Sequence, residues 1–573
     1  MCGIFAAISD CQHIWPSHEL EQRLQQRGPD STGQHRASNG QRGLHVSLYA
    51  TVLSLRGDHT VRQPICVGTS GSALCWNGEA WGIAGSTTSG NDTQAVARLL
   101  ENVATEQIDA LARGEEVIAR AGFLATALSQ IAGPYAFVFH DSVNDLLFYG
   151  RDFLGRRSLL SGRTEKGEWM LCSVTTGASD ASWQEIGTDG VYCLDLLQPK
   201  SATTPIEEAA VLGAYSSCKP GEVADDSKTV IPKLSLNLEL PTRDHCLNAN
   251  SHTVMRLNKL LIRALVVRID SIPVPPRSQS DEASSQLTRL AILFSGGLDC
   301  TVLARLAHDV LPVGEGIDLL NVAFENPRVH KAHAENAYEL CPDRITGRAS
   351  YKELQEVCPK RHWNFVAINV PYAETLDHRD QVITLMHPHN TEMDLSISCA
   401  LYFASRGQGF LSPTPDVLKP YTTSARVLLN GLGADEIFGG YHRHATAFSR
   451  KGYEGLLDEL SLDIGRLGKR NLGRDDRVIS HWGKEARFPY LDEQVLAWAM
   501  SMPVNEKCGF GETVPETSDD GSELLEPGKK VLRCLAWKLE MKGVAKEKKR
   551  AIQFGARTAK MEAGKTKGTT LLS

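Results

Sequence analysis

No run of eighteen apolar residues occurs anywhere in the 573 residues, so no transmembrane helix is expected. The first residues lack the basic-then-apolar plan of a secretory signal. There is no C-x-x-C pair and no cysteine–histidine spacing suited to zinc. The 14 cysteines therefore read as reduced thiols of a cytoplasmic protein, mostly buried as small hydrophobes. Basic residues do not outnumber acidic ones: 61 Lys and Arg against 68 Asp and Glu leave a net charge of −7, which argues against nucleic acid as a partner, and no membrane partner is expected either. A Walker-type G-x-x-x-x-G-K-[ST] is also missing. What remains is an ordinary globular composition, 42% hydrophobic and 23% charged, long enough for two to four domains.

Residues 290 to 300 read Leu-Ala-Ile-Leu-Phe-Ser-Gly-Gly-Leu-Asp-Cys. Five apolar residues in a row fit a short strand buried on both faces. Gly296 and Gly297 then allow a tight turn, and a helical pattern follows through Val302, Leu303 and Leu306. The crevice between strand end and helix start favours a phosphate, with Asp299 placed to hold magnesium. A second strand–glycine–acid pattern runs from Val427 through Asn430, Gly431, Leu432 and Gly433 to Asp435 and Glu436. If the two strands are neighbours, Asp435 joins Asp299 as an oxygen ligand for the same ion. Taken alone, the first motif fits a glycine turn of an ordinary βαβ unit equally well, and the second is more simply a capped helix.

The chain starts Met1-Cys2-Gly3-Ile4. Removal of Met1 would leave Cys2 with both a thiol and a free α-amine, and that amine, with a pKa near 8, can take the thiol proton at neutral pH. Arg27-Gly28-Pro29-Asp30 is a turn with a charged rim, Asn77-Gly78-Glu79 ends an apolar strand pattern, and Asn91-Asp92-Thr93 precedes a helical one. Gly133–Phe139 and Leu146–Tyr149 form a hairpin pattern, followed by an arginine-rich segment from Arg151 to Leu159 read as structural. Residues 200 to 250 carry weak periodicity, and residues 273 to 286 form a proline- and serine-rich loop.

In this order, M-C-G-I, R-G-P-D, N-G-E and N-D-T resemble the class II glutamine amidotransferase domain, and S-G-G-L-D resembles the pyrophosphate loop of enzymes that split ATP into AMP and pyrophosphate. With Thr391-Glu392-Met393-Asp394, the acidic turn at Asp435 and the basic run ending in Lys549 and Arg550, nearly the whole chain resembles the glutamine-hydrolysing asparagine synthetases, more narrowly the asparagine synthetase domain-containing proteins. The resemblance implies an N-terminal-nucleophile αββα sandwich over residues 2 to 185, a connector over 186 to 250, and a pyrophosphate-loop α/β domain with a parallel sheet over 251 to 560. It implies that Cys2 attacks the glutamine amide, that Asn77 and Gly78 form the oxyanion hole, and that Glu79 and Asp92 line the pocket. It places ATP against Phe294, Ser295, Gly296, Gly297, Asp299, Val322, Asn430, Gly431 and Lys549, with Mg2+ on Asp299 and Asp435. Glutamine, aspartate and ATP are the implied substrates, and the implied product is asparagine. A homo-oligomer is neither required nor excluded.

Three departures stand out. Val52-Leu53-Ser54-Leu55 replaces the family's R-L-S-I, so either Arg56 takes over the substrate carboxylate or glutamine binding weakens. Cys300 replaces a serine of the phosphate loop, and a thiol donates more weakly than a hydroxyl. Leu432 replaces a glutamate of the synthetases, a loss worth on the order of 10²–10⁴ in rate if that carboxylate assists catalysis. The alternatives are the same scaffold acting on a different carboxylate, or a non-enzymatic interaction protein.

Overall fold

A computed structural model describes residues 1–39, 44–112, 117–164, 166–177, 182–196, 210–214, 235–241, 246–273, 288–329, 337–513, 521–561 and 567–572. Most of the expected connector and the proline- and serine-rich loop lie outside the described residues. The chain divides into two compact units. The first comprises Met1–Ile231 with Gln381–Asn390 and Leu467–Lys484; the second comprises Pro232–Asp380, Thr391–Arg466 and Glu485–Ser573.

The first unit holds two six-stranded sheets. In spatial order, one runs Gln184–Glu185, Leu160–Arg163, Trp169–Cys172, Gly3–Ser9, Leu44–Val52 and Ser31–Asn39. The other runs Ala210–Ala214, Gly190–Asp195, Leu146–Arg151, Tyr135–Asp141, Ser72–Gly78 and Ile65–Val67. All pairings within both sheets are antiparallel. The last strands of the second sheet lie beyond residue 185, so the unit continues past the boundary read from the sequence, where short strands carry too little periodicity to register.

Residue size decides the layering. Ala73, Cys75, Ala136 and Val138 face inward and pack on Ile4, Ala6, Val46, Leu48 and Ala50 of the other sheet. Their sequence neighbours Leu74, Trp76, Phe137 and Phe139 face out and are covered by Val96, Leu100, Leu124 and Leu128 of the helices Asp92–Ala112 and Val117–Leu128. Alternate residues point to opposite faces of a strand, so along Ser72–Gly78 the small residues meet the other sheet and the large ones meet helices, while Leu147 and Tyr149 bring bulk into the layer between the sheets. The helix His18–Arg27 buries Leu20 and Leu24, and Leu24 meets Gly3 and Thr51 of the first sheet. The result is the αββα sandwich that the sequence resemblance implied.

The second unit is built on one seven-stranded sheet in the order Lys419–Thr422, Gln408–Leu411, Trp363–Val370, Ile317–Phe324, Leu290–Leu293, Val427–Leu429 and Glu485–Arg487. The last five strands are parallel and the first two antiparallel. Every residue of Ile317–Phe324 and Val427–Leu429 is buried, as a sheet covered on both faces requires. The chain runs outward from Leu290–Leu293 through Ile317–Phe324 to Trp363–Val370, then returns to Val427–Leu429 on the opposite side. The strand order therefore reverses at Leu290–Leu293, and the carboxyl ends of strands at such a switch point are where ligands bind in open α/β sheets. Among the described residues no helix is long and apolar enough to cross a membrane.

Two histidines in the sandwich give it a pH limit. His35 and His140 lie with ring centroids 6.1 Å apart. Burial, with His35 adding to it, pushes His140 down to about 4, and burial lowers His35 as well. Unfolding returns both rings to their ordinary range, so below about 6.5 the unfolded chain takes up protons that the folded chain refuses. Stability of this unit is expected to be full above that pH and to fall as pH drops towards 4, by about 3 kcal/mol from His140 alone. Urea unfolding of wild type and His140→Leu between pH 7.5 and 4.5 checks this: the variant should lose most of the decline.

Candidate functional site

In the first unit, Cys2 opens the strand Gly3–Ser9 and is 8% exposed. The strand is anchored at its start: Gly3 N–H donates to Thr51 Oγ1 at 3.0 Å and Ile4 N–H to Ser173 Oγ at 3.0 Å. Arg27 donates from Nε to the Cys2 carbonyl at 3.4 Å, from Nη2 to Asp476 Oδ2 at 2.8 Å, and from Nη1 to Ser480 Oγ. The arginine of R-G-P-D is thus a buried bracket on the backbone of Cys2. Its counter-ion comes from the helix Leu472–Ser480, one of the later segments of this unit. Arg477 of the same helix pairs with Glu185 at 2.5 Å. Asp476 and Arg477 of this helix are thus both held in buried ion pairs.

Gln63 links the nucleophile to the pocket floor. Its Nε2 is 3.8 Å from Cys2 Sγ and 3.5 Å from Thr93 Oγ1, while its Oε1 accepts from Trp76 N–H at 2.6 Å. Sequence reasoning assigned Gln63 no role, because nothing in Val61-Arg62-Gln63-Pro64 marks a glutamine that turns inward. Asp92 accepts from Trp76 Nε1 at 3.2 Å, Ala80 N–H at 2.9 Å and Thr93 N–H at 2.9 Å. Asn91 Oδ1 accepts from Gln94 N–H at 3.2 Å, so Asn91 rather than Asp92 caps the helix. Arg56 donates to the carbonyls of Ala80, at 2.8 Å, and Thr88, with Glu79 Oε2 at 3.7 Å. Its guanidinium is already shared between wall carbonyls and Glu79.

Asn77 has no solvent exposure, and neither its amide nitrogen nor its oxygen has a hydrogen-bond partner among the described residues. An unsatisfied buried amide costs about 1–3 kcal/mol, so each such group calls for an explanation. Gly78, next in line, must be glycine: a Cβ there would stand 2.5 Å from the Pro134 carbonyl. The structure therefore gathers Cys2, Asn77, Gly78, Glu79, Asp92 and Arg56 around one small region. With Met1 attached, the nitrogen of Cys2 is an amide and cannot act as a base.

In the second unit, the phosphate loop leaves the strand Leu290–Leu293 and the acidic turn leaves its parallel neighbour Val427–Leu429, with Ala291 paired to Leu428. The two turns touch: a Cβ on Gly431 would be 2.9 Å from the Cβ of Asp299. Gly296, at φ +79, lies against the backbone of Gly347, where a Cβ would come within 2.4 Å. Phe294 is buried at the strand end and Val322 is buried in the next strand. Asn430 Oδ1 accepts from Leu432 N–H at 2.9 Å, tightening the acidic turn. Cys300 Sγ is 3.3 Å from the Gly297 carbonyl and 3.6 Å from Ser295 Oγ, so the thiol serves the inside of the loop.

Between the turns stands Lys529, which the sequence reading passed over. Its Nζ donates to Asp299 Oδ1 and Oδ2 at 2.8 and 2.9 Å and lies 2.9 Å from Asp435 Oδ1. It follows Gly528 and takes a left-handed backbone, φ 56, which turns the side chain into the crevice. Lys549 Nζ contacts Asp435 Oδ2 at 2.5 Å, whereas Arg550 goes to Thr346 Oγ1 at 3.3 Å, so Lys549 is the basic residue of its run that reaches the acids. Burial pushes Asp435 up, but the ammoniums of Lys529 and Lys549 outweigh it and hold the carboxyl well below its usual range. Burial raises Asp299, whose direct cation is Lys529 and whose neighbour is the Asp435 charge. Burial works to lower Lys549, but Asp435 and Asp299 raise it above its usual range.

The donor set fits magnesium. Two carboxylates share a single crevice, and Asp435 Oδ1 accepts no aligned hydrogen bond despite the nearby ammonium. Two carboxylates plus substrate phosphates is how that ion is commonly held, and among the described residues there is no larger cluster of metal-binding groups. Asp394 has another role: Thr391 Oγ1 accepts from Asp394 N–H at 3.2 Å and donates to Asp394 Oδ2 at 2.5 Å, a capping arrangement.

Comparisons with known proteins bear on the same residues. Residues 1–222 match the model of the glutamine amidotransferase domain, and residues 412–458 and 449–567 match that of asparagine synthase. The chain is 35% identical to asparagine synthetase domain-containing protein 1 of Bos taurus, over 99% of this chain and 97% of that one. It is 33% identical to asparagine synthetase domain-containing protein YML096W of Saccharomyces cerevisiae, over 93% and 87%. It is 23% identical to asparagine synthetase [glutamine-hydrolyzing] 1 of the same yeast, over 88% and 77%.

Removing Lys529 should expose how much the crevice depends on it. Lys529→Met leaves two buried carboxylates with Lys549 alone and is expected to lower unfolding free energy by about 3 kcal/mol. Urea titration measures this; a change under 1 kcal/mol would mean that the ammonium is not holding the acids.

Proposed function

Because this chain belongs to the family of asparagine synthetase domain-containing proteins, an asparagine synthase-like group carrying a glutamine amidotransferase domain, we propose that it is a glutamine-dependent, ATP-dependent amidotransferase making asparagine from aspartate. The observation that carries the reading is the meeting of two acidic turns around Lys529 at the switch point of a parallel sheet. A buried N-terminal cysteine beside an unpartnered Asn77 amide supports the other half.

In the first unit, once Met1 is removed, the α-amine of Cys2 takes the thiol proton. The thiolate attacks the side-chain amide carbon of glutamine. Negative charge on the amide oxygen is met by the Asn77 Nδ2–H and the Gly78 N–H. The α-ammonium returns the proton to the departing nitrogen, ammonia leaves, and a thioester remains. Water then hydrolyses the thioester to glutamate and frees the thiol. Asp92 is suited to the substrate α-ammonium. Arg56, partly neutralised by Glu79, is the nearest candidate for the α-carboxylate.

In the second unit, Asp299 and Asp435 would hold Mg2+, which supplies charge neutralisation on the ATP phosphates when bound. Lys529 and Lys549, which stand against those carboxylates, are the cations that would meet the phosphate oxygens. The aspartate side-chain carboxylate attacks the α-phosphorus and pyrophosphate departs. Ammonia then attacks the acyl carbon, and AMP leaves with the formation of asparagine. Leu432, half-buried in the acidic turn, favours one alternative: the same chemistry on a carboxylate other than aspartate.

Two assays divide the claim. Full-length protein with Met1 removed should hydrolyse glutamine without ATP; Cys2→Ala should abolish this, and Asn77→Ala should cost about 10²–10³ in rate. Aspartate-dependent exchange of pyrophosphate into ATP should occur, disappear in Asp299→Asn and Asp435→Asn, and rise in Leu432→Glu. Exchange with another acid and none with aspartate would transfer the reading to that acid. Absence of both reactions would sink it.

A further inference from the structure

Gln63 is a buried amide set between the N-terminal thiol and the strand that carries Asn77. Its side chain is almost wholly enclosed, at 2% exposure. Oε1 accepts from the Trp76 N–H at 2.6 Å, while Nε2 faces Cys2 Sγ at 3.8 Å and Thr93 Oγ1 at 3.5 Å. The orientation of this amide is imposed by its surroundings. A backbone N–H can only donate, so the oxygen must face Trp76, and the nitrogen with its two hydrogens must face the thiol and the threonine. The backbone is held from the opposite side: a Cβ on Gly33, in the strand Ser31–Asn39, would stand 2.4 Å from the Gln63 carbonyl. A close-packed interior leaves such a side chain little room to turn its donor elsewhere.

The contact discriminates between the two states of the sulfur. A neutral thiol is a weak acceptor. A thiolate is charged, and a hydrogen bond to a charged acceptor is roughly twice as strong as one between neutral groups. An N–H aimed at the sulfur therefore favours the ionised form. Resting on the reading of Cys2 as the nucleophile, we propose that Gln63 is a positioning residue of the amidotransferase site, its amide N–H holding the Cys2 thiolate. The S–H bond breaks, the proton passes to the α-nitrogen of the same residue, and the charge left on sulfur is met by Gln63 Nε2–H. Trp76 immediately precedes Asn77 and Gly78, so the same amide sets the spacing between the attacking atom and the donors proposed for the oxyanion.

Titratable side chains on the surrounding elements are committed to other partners. Arg27 donates to the Cys2 carbonyl and is paired with Asp476. Asp92 accepts from Trp76 Nε1, Ala80 N–H and Thr93 N–H. Arg56 and Glu79 face each other at 3.7 Å. Cys75, next to Trp76, is fully buried, and burial together with the Cys2 charge pushes its thiol above the ordinary range, so it stays neutral.

The test is the pH profile of Cys2 alkylation by iodoacetamide in the full-length protein with Met1 removed, read on the N-terminal peptide by mass spectrometry and requiring no turnover. Gln63→Glu keeps an acceptor for the Trp76 N–H and loses the donor; Gln63→Met loses both. Each should move the alkylation midpoint up by about one pH unit or more. Glutaminase kcat should fall about tenfold at pH values below the midpoint, with KM little changed. Thermal melts establish that both variants are folded. A merely structural role would lower the melting temperature of Gln63→Met and leave both midpoints at the wild-type value. Unshifted midpoints in the two folded variants would overturn the assignment while leaving any glutaminase activity standing. Shifted midpoints in a protein whose wild type hydrolyses no glutamine would support the assignment of Gln63 to the thiolate and overturn the glutaminase reading.

Discussion

One ammonium shared by two carboxylates is the interaction on which the second unit's chemistry depends. Lys529 bridges Asp299 and Asp435, which leave adjacent parallel strands. Two buried like charges this close cannot both stay ionised without a cation between them. The chain has solved this with a lysine whose left-handed backbone aims it inward and a second lysine behind it. In the proposed reading the same arrangement suits a divalent cation and phosphate: the two acids would hold the metal, and the two ammoniums are the cations available to the anions. The sheet topology makes this arrangement available, because a strand with parallel neighbours on both sides and a reversal of order gives two turns opening on the same space.

Buried charge also organises the first unit. Arg27 is held by Asp476 and Ser480 and in turn holds the Cys2 carbonyl, so the backbone of the nucleophile is fixed by a chain of polar contacts rather than by packing alone. Removing Arg27 or Asp476 takes from the other its closest opposite charge in a dry interior. Asn77 differs: its buried amide makes no hydrogen bond among the described residues, which is what the proposed oxyanion role asks of it.

Much of this was legible in the sequence because it rests on local patterns. The apolar run before Ser295, the glycine turns, and the alternation of small and large residues along Ala73–Trp76 each follow from strand geometry. Asp435 could be paired with Asp299 because both close a strand–glycine–acid pattern. Lys529 was not legible: it lies 230 residues from Asp299, and nothing in Gly528-Lys529-Lys530 distinguishes an inward lysine from a solvated one. The limit of the first unit was set early because its closing strands follow long stretches of weak periodicity.

The central claim is that Asp299 and Asp435 form one cation site with Lys529 and Lys549 poised at the phosphates. Crystals of the full-length protein grown with Mn2+ and a non-hydrolysable ATP analogue, measured at the manganese absorption edge, test it most directly. The account predicts an anomalous peak between the two carboxylates, with both lysines turned to phosphate oxygens. A peak elsewhere, or a nucleotide bound while Lys529 still bridges the two acids, would contradict it.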